Sequence, residues 1–219
     1  MGTIPRIGAL LARATFEPDL LISDGEAYLQ TPEGHTEGWL PFRSVFDVVA
    51  AGTRHVMMGA SQIDRFGNQN ISAVGDWEKP TVQLLGSRGA PGNTVNHTTS
   101  YWVPNHSTRV FVERVDFVSG VGYDRARSAE RAASEAGRFH EIRVVVTNLA
   151  VLDFSASDGT MALRSVHPGV TADDVVSATG FELAVGAAVA QTRVPSDDEL
   201  GLIRTVLDPD DQRSKEVPA

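Results

Sequence analysis

Apolar and polar residues follow two rhythms along this chain. Ile7, Leu10, Leu11 and Ala14 recur at helical spacing until Pro18, which predicts an opening helix entered through the loop Met1-Gly2-Thr3-Ile4-Pro5. Short apolar runs follow at 19–22, 55–58, 82–85, 101–103, 109–112, 115–118, 142–146, 149–154 and 161–166. Each is of strand length and lies between turn-forming residues. Ser44 is placed to cap a helix burying Val45, Phe46, Val48 and Val49, and Thr171 to cap a short helix through Val175. Ser196 heads a last helix with Asp197, Asp198 and Glu199 in its first turn, where acids suit the helix dipole. Strand, loop, helix and strand in that order predict an α/β fold, an open and mostly parallel sheet with helices on both faces. A helix with no strand before it further predicts that an N-terminal βα element is missing from this chain. Residues 124–138 are charged and Ala-rich, an exposed helix or a mobile excursion, and 209–219 read as a polar, frayed tail. No linker is long enough to divide the chain, so 1–219 is taken as one domain.

Composition narrows the function. With 219 residues the chain can build a substantial core. A formal charge of −9 argues against a nucleic-acid groove, which needs clustered Lys and Arg, but leaves room for a small anionic ligand held by local Arg and backbone N–H groups. There is no cysteine, hence no disulfide, thiolate zinc site or cysteine nucleophile. No apolar run reaches membrane-spanning length. These features predict a soluble, cytoplasmic protein with no membrane partner.

Polar and glycine-rich residues concentrate between Met57 and Asn93. Gln62, Asp64, Asn68, Gln69 and Asn70 crowd into nine positions after the 55–58 run, and Gly86, Gly89 and Gly92 follow the 82–85 run. Loops after strand ends are where open α/β sheets bind ligands. Asp64 to Gly67 is favoured as a turn whose side chains satisfy their own backbone; Gln62, Asn68 and Asn70 remain open as ligand contacts. The stretch Gly86-Ser87-Arg88-Gly89-Ala90-Pro91-Gly92-Asn93 allows close backbone approach, yet matches neither GxxxxGK[ST] nor GxGxxG. Asn96 and His97 follow within reach, and Trp102 is placed to stack on a flat ligand. Asp24 and Glu26 flank Gly25 at the end of the 19–22 run; they make either a nucleophile or general base, or simply a turn. The histidines at 35, 55, 97, 106, 140 and 167 show no metal-ligand spacing, so no metal is expected.

Taken together, these motifs resemble the β subunits of class I coenzyme A transferases. Gly2-Thr3-Ile4-Pro5 is similar to the end of their glycine loop, and Gly59 to Asn70 to their G-x-x-Q-[IV]-D-x-x-G-N-x-N block. Ser87 to Asn93 stands where they carry G-G-A-x-D, and Val166 to Thr171 with Ala178 to Phe181 is similar to V-H-P-G-V-T…A-T-G-F. Within that family the chain is most similar to the β subunits of steroid ring-cleaving acyl-CoA hydrolases, through Leu21 to Ala27, Glu37 to Phe42 and Gly89 to Trp102. The resemblance implies a homologous α subunit as partner, in an α2β2 heterotetramer. It implies a carbon–carbon hydrolase acting on a steroid-derived cyclic keto acyl-CoA, with coenzyme A entering as part of the substrate and no separate cofactor.

One departure shapes the expected chemistry. Transferases resembling this chain place a nucleophilic glutamate just after the second strand, in S-E-N-G or E-x-G; here the residues are Ser23-Asp24-Gly25-Glu26. A two-residue shift along an extended segment displaces a side chain by roughly 6.6 Å, too far for the same attack on a thioester. The resemblance therefore implies that Asp24 or Glu26, or a carboxylate of the α subunit, activates water against a ring ketone. Gly89, Ala90, Gly92, Asn93, Asn96, His97, Trp102, Gln62 and Asn68 are then expected to line the substrate. Two alternatives stay open: a genuine transferase in which Glu26 accepts the acyl group, and a non-catalytic partner of a catalytic α subunit.

Overall fold

The computed structural model describes residues 2–20, 22, 28–31, 35–39, 44, 47, 54–131 and 137–217. They fall in two compact units, one from residues 1–52 with 194–219 and one from residues 53–193.

In the first unit, α1 (Thr3–Thr15) begins at Gly2, whose extended backbone is the N-cap, and buries Ile7 and Arg13. The expected strand at 19–22 does not start at Asp19: a turn closes there, with Leu20 N–H donating to the Glu17 carbonyl at 3.0 Å. Pro18 fixes the backbone for that turn. β1 (Tyr28–Gln30) and β2 (Thr36–Trp39) pair as an antiparallel hairpin. Ser44 and Asp47 are helical; most of the helix expected around them lies outside the described residues. The last α-helix, α5 (Asp197–Leu202), carries a reciprocal capping box between Ser196 and Glu199. Beyond it the expected frayed tail is ordered through residue 217. Asp208 is 5% exposed and accepts from the backbone N–H of Gln212 and Arg213 and from Arg213 Nη1 at 2.8 Å. Glu216 accepts from Ile4 N–H at 2.8 Å and so caps α1.

The second unit is built on a six-stranded sheet. In chain order its strands are β3 (His55–Gly59), β8 (Thr98–Val103), β9 (Glu141–Thr147), β10 (Ala150–Asp153), β11 (Ala162–Val166) and β12 (Ala184–Gln191). Their spatial order is β12-β11-β10-β9-β8-β3. The pairings β3–β8, β8–β9 and β11–β12 are parallel and the two made by β10 are antiparallel. The sheet is thus mostly parallel, as expected. β10 reverses because only Asn148 and Leu149 join it to β9, too short a link for a crossover. Tyr101, Val103, Ile142, Val145, Leu152 and Met161 form the core of the unit.

Between β3 and β8 lie two small hairpins, β4 (Gln62–Ile63) with β5 (Gln69–Asn70), and β6 (Ala73–Gly75) with β7 (Pro80–Gln83). The 82–85 run is therefore not a buried strand feeding the glycine cluster. β7 pairs only with β6, and Val82 and Leu85 are exposed. Nor are 109–112 and 115–118 strands. Phe111 and Gly120 each make one isolated bridge, to Ile63 and Gln69, while the N–H groups of Asp116 and Gly122 are taken by the Gln62 and Asn68 side chains of the first hairpin. The apolar pattern also misses the helix α2 (Ala90–Asn96), which sits inside the glycine-rich stretch, and β12, half of whose residues are Ala, a residue of low strand preference. α3 (Tyr123–Arg131) resolves the first part of 124–138 as a helix; residues 132–136 lie outside the described residues. α4 (Ala172–Ser177) starts at the predicted cap Thr171, in a capping box with Asp174.

One buried histidine clasps the end of α4 to the sheet. His106 lies between Thr147 Oγ1 (3.1 Å from Nδ1) and Thr179 Oγ1 (3.0 Å from Nε2), stacked on Phe111 with centroids 3.8 Å apart. Both hydroxyls also donate to backbone carbonyls, Thr179 to Val175 O at 2.8 Å and Thr147 to Ala150 O at 3.2 Å. Burial lowers the His106 pKa to about 4.

Candidate functional site

The polar block 62–70 is almost wholly buried: Gln62, Asp64, Asn68, Gln69 and Asn70 are each at most 6% exposed. Burying so many amides is tolerable only when nearly all are paired, and they are paired within the protein except at Gln69 Oε1. Asp64 Oδ1 accepts from the N–H groups of Phe66 and Asn68, both at 3.0 Å, making the predicted turn. Gly67 completes it with φ +83°, in a place where a Cβ would lie 2.6 Å from Ile142. Burial raises the Asp64 pKa, and the bonds from Asn68 and Phe66 oppose that shift.

Asn68 Nδ2 reaches Asp64 and Asp124, each at 2.9 Å, while its carbonyl accepts from Gly122 N–H at 2.8 Å. Gln62 donates to Asp116 at 2.9 Å, and its carbonyl accepts from Asp116 N–H and Asn70. Asn70 also holds Ala73 O and Ser72 N–H. Gln69 donates to the Gly59 carbonyl and pairs its backbone with Ser119 and Gly120. The amides of Gln62 and Asn68, expected at the ligand, are thus used to hold the 113–122 segment where strands had been expected. Gly122 is required for this approach: a Cβ there would lie 2.5 Å from Phe66 O.

A chain of serines carries the order outward. Ser72 Oγ is 2.7 Å from Ser119 Oγ and 3.0 Å from Ser87 Oγ. Ser119 also accepts from Ile71 N–H at 3.0 Å. Ser87 opens the glycine-rich turn, so the buried block sets where that turn sits. Gly86 and Arg88 both have positive φ, +82° and +50°. For an arginine this left-handed state costs roughly 1–3 kcal/mol. Ala90 N–H then donates to Ser87 O at 3.1 Å and α2 begins. Sequence reasoning passed over Ser72, Ser87 and Ser119, which lack a distinctive motif. Arg88 did carry a signal, as the bulky residue in a run of small ones.

The residues expected at a ligand separate along α2 and β8. Gly89 is exposed, and Gly92 and Asn93 are half-buried. Asn93 Nδ2 lies 3.5 Å from Met58 Sδ, tying α2 to β3, and the exposed Asn96 bonds the Gly92 carbonyl at 2.9 Å. Ala90, His97 and Trp102 are buried, at 2%, 1% and 8% exposure. Trp102 lies within β8, paired with Gly59 and Val146. Asp24 and Glu26 lie outside the described residues. A cavity of about 710 Å³ opens over the 64–68 turn. Its lining sets Arg65, Arg114 and Arg125 against Asp64, Glu113, Asp116 and Asp124, so it carries no cationic excess. Among the described residues no cluster of His, Asp or Glu could hold a metal ion, and no helix is long and apolar enough to cross a membrane.

Comparison with known proteins gives this geometry a context. The coenzyme A transferase family model matches residues 44–178. The cholesterol ring-cleaving hydrolase IpdB subunit of Rhodococcus jostii (strain RHA1) is 56% identical over 99% of this chain and 87% of its own length. The crystal structure of Rhodococcus jostii RHA1 IpdAB superposes with a TM-score of 0.93 at 55% identity, covering 100% of this chain and 89% of that one. Glutaconate coenzyme A-transferase from Acidaminococcus fermentans shares the fold, with a TM-score of 0.84 at 24% identity over 99% of this chain and 88% of that one.

Proposed function

The chain belongs to the coenzyme A transferase family, and on that premise we propose that it is the β-type subunit of a hydrolase that opens a carbocyclic ring of a steroid-derived keto acyl-CoA. The observation that carries this reading is the 56% identity to a cholesterol ring-cleaving hydrolase subunit along almost the whole chain. It works with a homologous α-type subunit, in an α2β2 assembly, in the cytoplasm where acyl-CoA thioesters are made.

The chemistry follows from the substrate. A carboxylate, Glu26 or Asp24 of this chain or one from the α subunit, takes a proton from water as the oxygen adds to a ring ketone. The tetrahedral adduct collapses to a carboxylate; the ring carbon–carbon bond breaks, and its electron pair leaves as an enolate that is then protonated. N–H donors aimed at the developing oxyanion supply the stabilisation such a step needs. Water is the only co-substrate, and coenzyme A stays attached throughout. The turn at Ser87–Gly89, held by the serine chain, is the part of this subunit we assign to the substrate, with Gly92, Asn93 and Asn96 beside it on α2.

The test is to co-express the chain with its α-type partner and offer steroid-derived cyclic keto acyl-CoAs in water enriched in heavy oxygen. The expected product has gained one water, carries label in a new carboxylate and retains its thioester. Release of free coenzyme A as the first product, or trapping of an acyl group on Glu26 by hydroxylamine, would overturn the hydrolase reading in favour of acyl transfer.

A further inference from the structure

Arg88 is held in a conformation that its turn alone does not call for. Its φ of +50° lies in the left-handed region, which glycine enters freely and an arginine only at a cost. Both sides of the residue are fixed. Ser87 is tied through its hydroxyl to Ser72, which is tied in turn to Ser119, and Ala90 N–H closes back onto Ser87 O. The backbone at Arg88 is thus set by the buried block, while its side chain is exposed. Among the described residues its guanidinium has no ion pair or hydrogen bond. A turn that needed only its shape would be served better by glycine, so what the arginine adds is its guanidinium. In a chain of net charge −9, a cation left uncompensated on a fixed turn is a local attractor for an anion.

We propose that Arg88 is a substrate-binding residue that grips an anionic oxygen group, a phosphate or a carboxylate, of the acyl-CoA. This rests on the acyl-CoA reading above. The planar fork of arginine suits such groups, forming two parallel hydrogen bonds. Gly89 after it carries no side chain, and Ser87 before it has its hydroxyl engaged with Ser72 at 3.0 Å.

The test uses the assembled complex and the variants R88G, R88N and R88K. Glycine and asparagine both tolerate the left-handed state, so R88G and R88N fold at least as well as the parent, and R88G melts at a higher temperature. Loss of one charge-assisted hydrogen bond predicts a rise in KM of at least about tenfold for R88G and R88N, with a smaller rise for R88K. Repeating the comparison with the thioester of 3′-dephospho-coenzyme A and with the acyl-pantetheine thioester locates the anion. A penalty that disappears with the nucleotide phosphates places it on coenzyme A, and one that persists on acyl-pantetheine places it on the acyl group. Calorimetric titration of the complex with free coenzyme A and with the thioester reads binding without turnover, so a failure of the ring-opening reading is recognised separately. Unchanged affinity of R88G for both ligands would overturn the proposal.

Discussion

The buried block at 62–70 and the turn at 86–89 lie in the same unit, and both interrupt the apolar pattern with polar or small residues. They spend those residues in opposite ways. In the block, Asn70 has all four of its amide hydrogen-bonding positions filled by Gln62, Ala73 and Ser72. In the turn, Gly89 and Arg88 face solvent and Arg88 is held against its conformational preference. Polar density by itself therefore does not mark a ligand site. What distinguishes scaffold from site is whether the polar atoms are already satisfied inside the protein.

The sharpest way to break this contrast is to remove an amide from the block. Asn68→Leu deprives buried Asp64 and half-buried Asp124 of a shared donor and leaves the buried Gly122 N–H without its acceptor. Stranded buried polar groups carry their full desolvation penalty, so a loss on the order of 3–5 kcal/mol is expected, read as a lower midpoint in urea unfolding. A small loss of stability coupled to a large rise in KM would instead make Asn68 a ligand contact, as its place in the sequence had suggested.

A second, somewhat smaller effect tests whether satisfied polar groups elsewhere in this unit are equally structural. His106 is kept neutral because burial lowers its pKa from 6.5 to about 4. The unfolded chain takes up a proton near pH 6.5 and the native one only near 4, so stability is fully present above pH 6.5 and is lost as the pH falls toward 4. The shift corresponds to roughly 3 kcal/mol across that window. His106→Gln should be less stable at neutral pH, but should show a flatter dependence of unfolding midpoint on pH between 6.5 and 4. An unchanged slope would mean that other groups govern the acid response.

Much of this is legible in the sequence. The caps Thr171 and Ser196, the turn at Asp64 to Gly67 and the sheet strands at 55–58, 101–103, 142–146, 149–154 and 161–166 announce themselves locally, because caps, turns and half-buried strands depend on near neighbours. The segment 109–122 did not. Its apolar residues read as strands, but the N–H groups of Asp116, Gly122 and Val121 are claimed by the side chains of Gln62, Asn68 and Thr94 from far along the chain. For the same reason Gln62 and Asn68 looked available for a ligand: their partners Asp116 and Gly122 are more than fifty residues away. β12 stayed hidden because AVGAAVAQ earns its place only by pairing with β11.

The smallest expected effect lies where the two regions meet. Ser87→Ala removes one hydroxyl from the chain that joins the turn to the block, and Ser72 keeps its bond to Ser119 at 2.7 Å. A single hydrogen bond at a half-buried position is worth about 1 kcal/mol, so the unfolding midpoint should barely move. The local consequence is larger than the global one, since Arg88 keeps its left-handed backbone only while both flanks are tied. Amide hydrogen exchange at residues 86–89 should accelerate in Ser87→Ala, while exchange at Gln69 and Asn70 stays at the parent rate. If protection instead falls together in both places, the turn and the block unfold as one unit. The division into a satisfied scaffold and a presented site would then be wrong for this subunit.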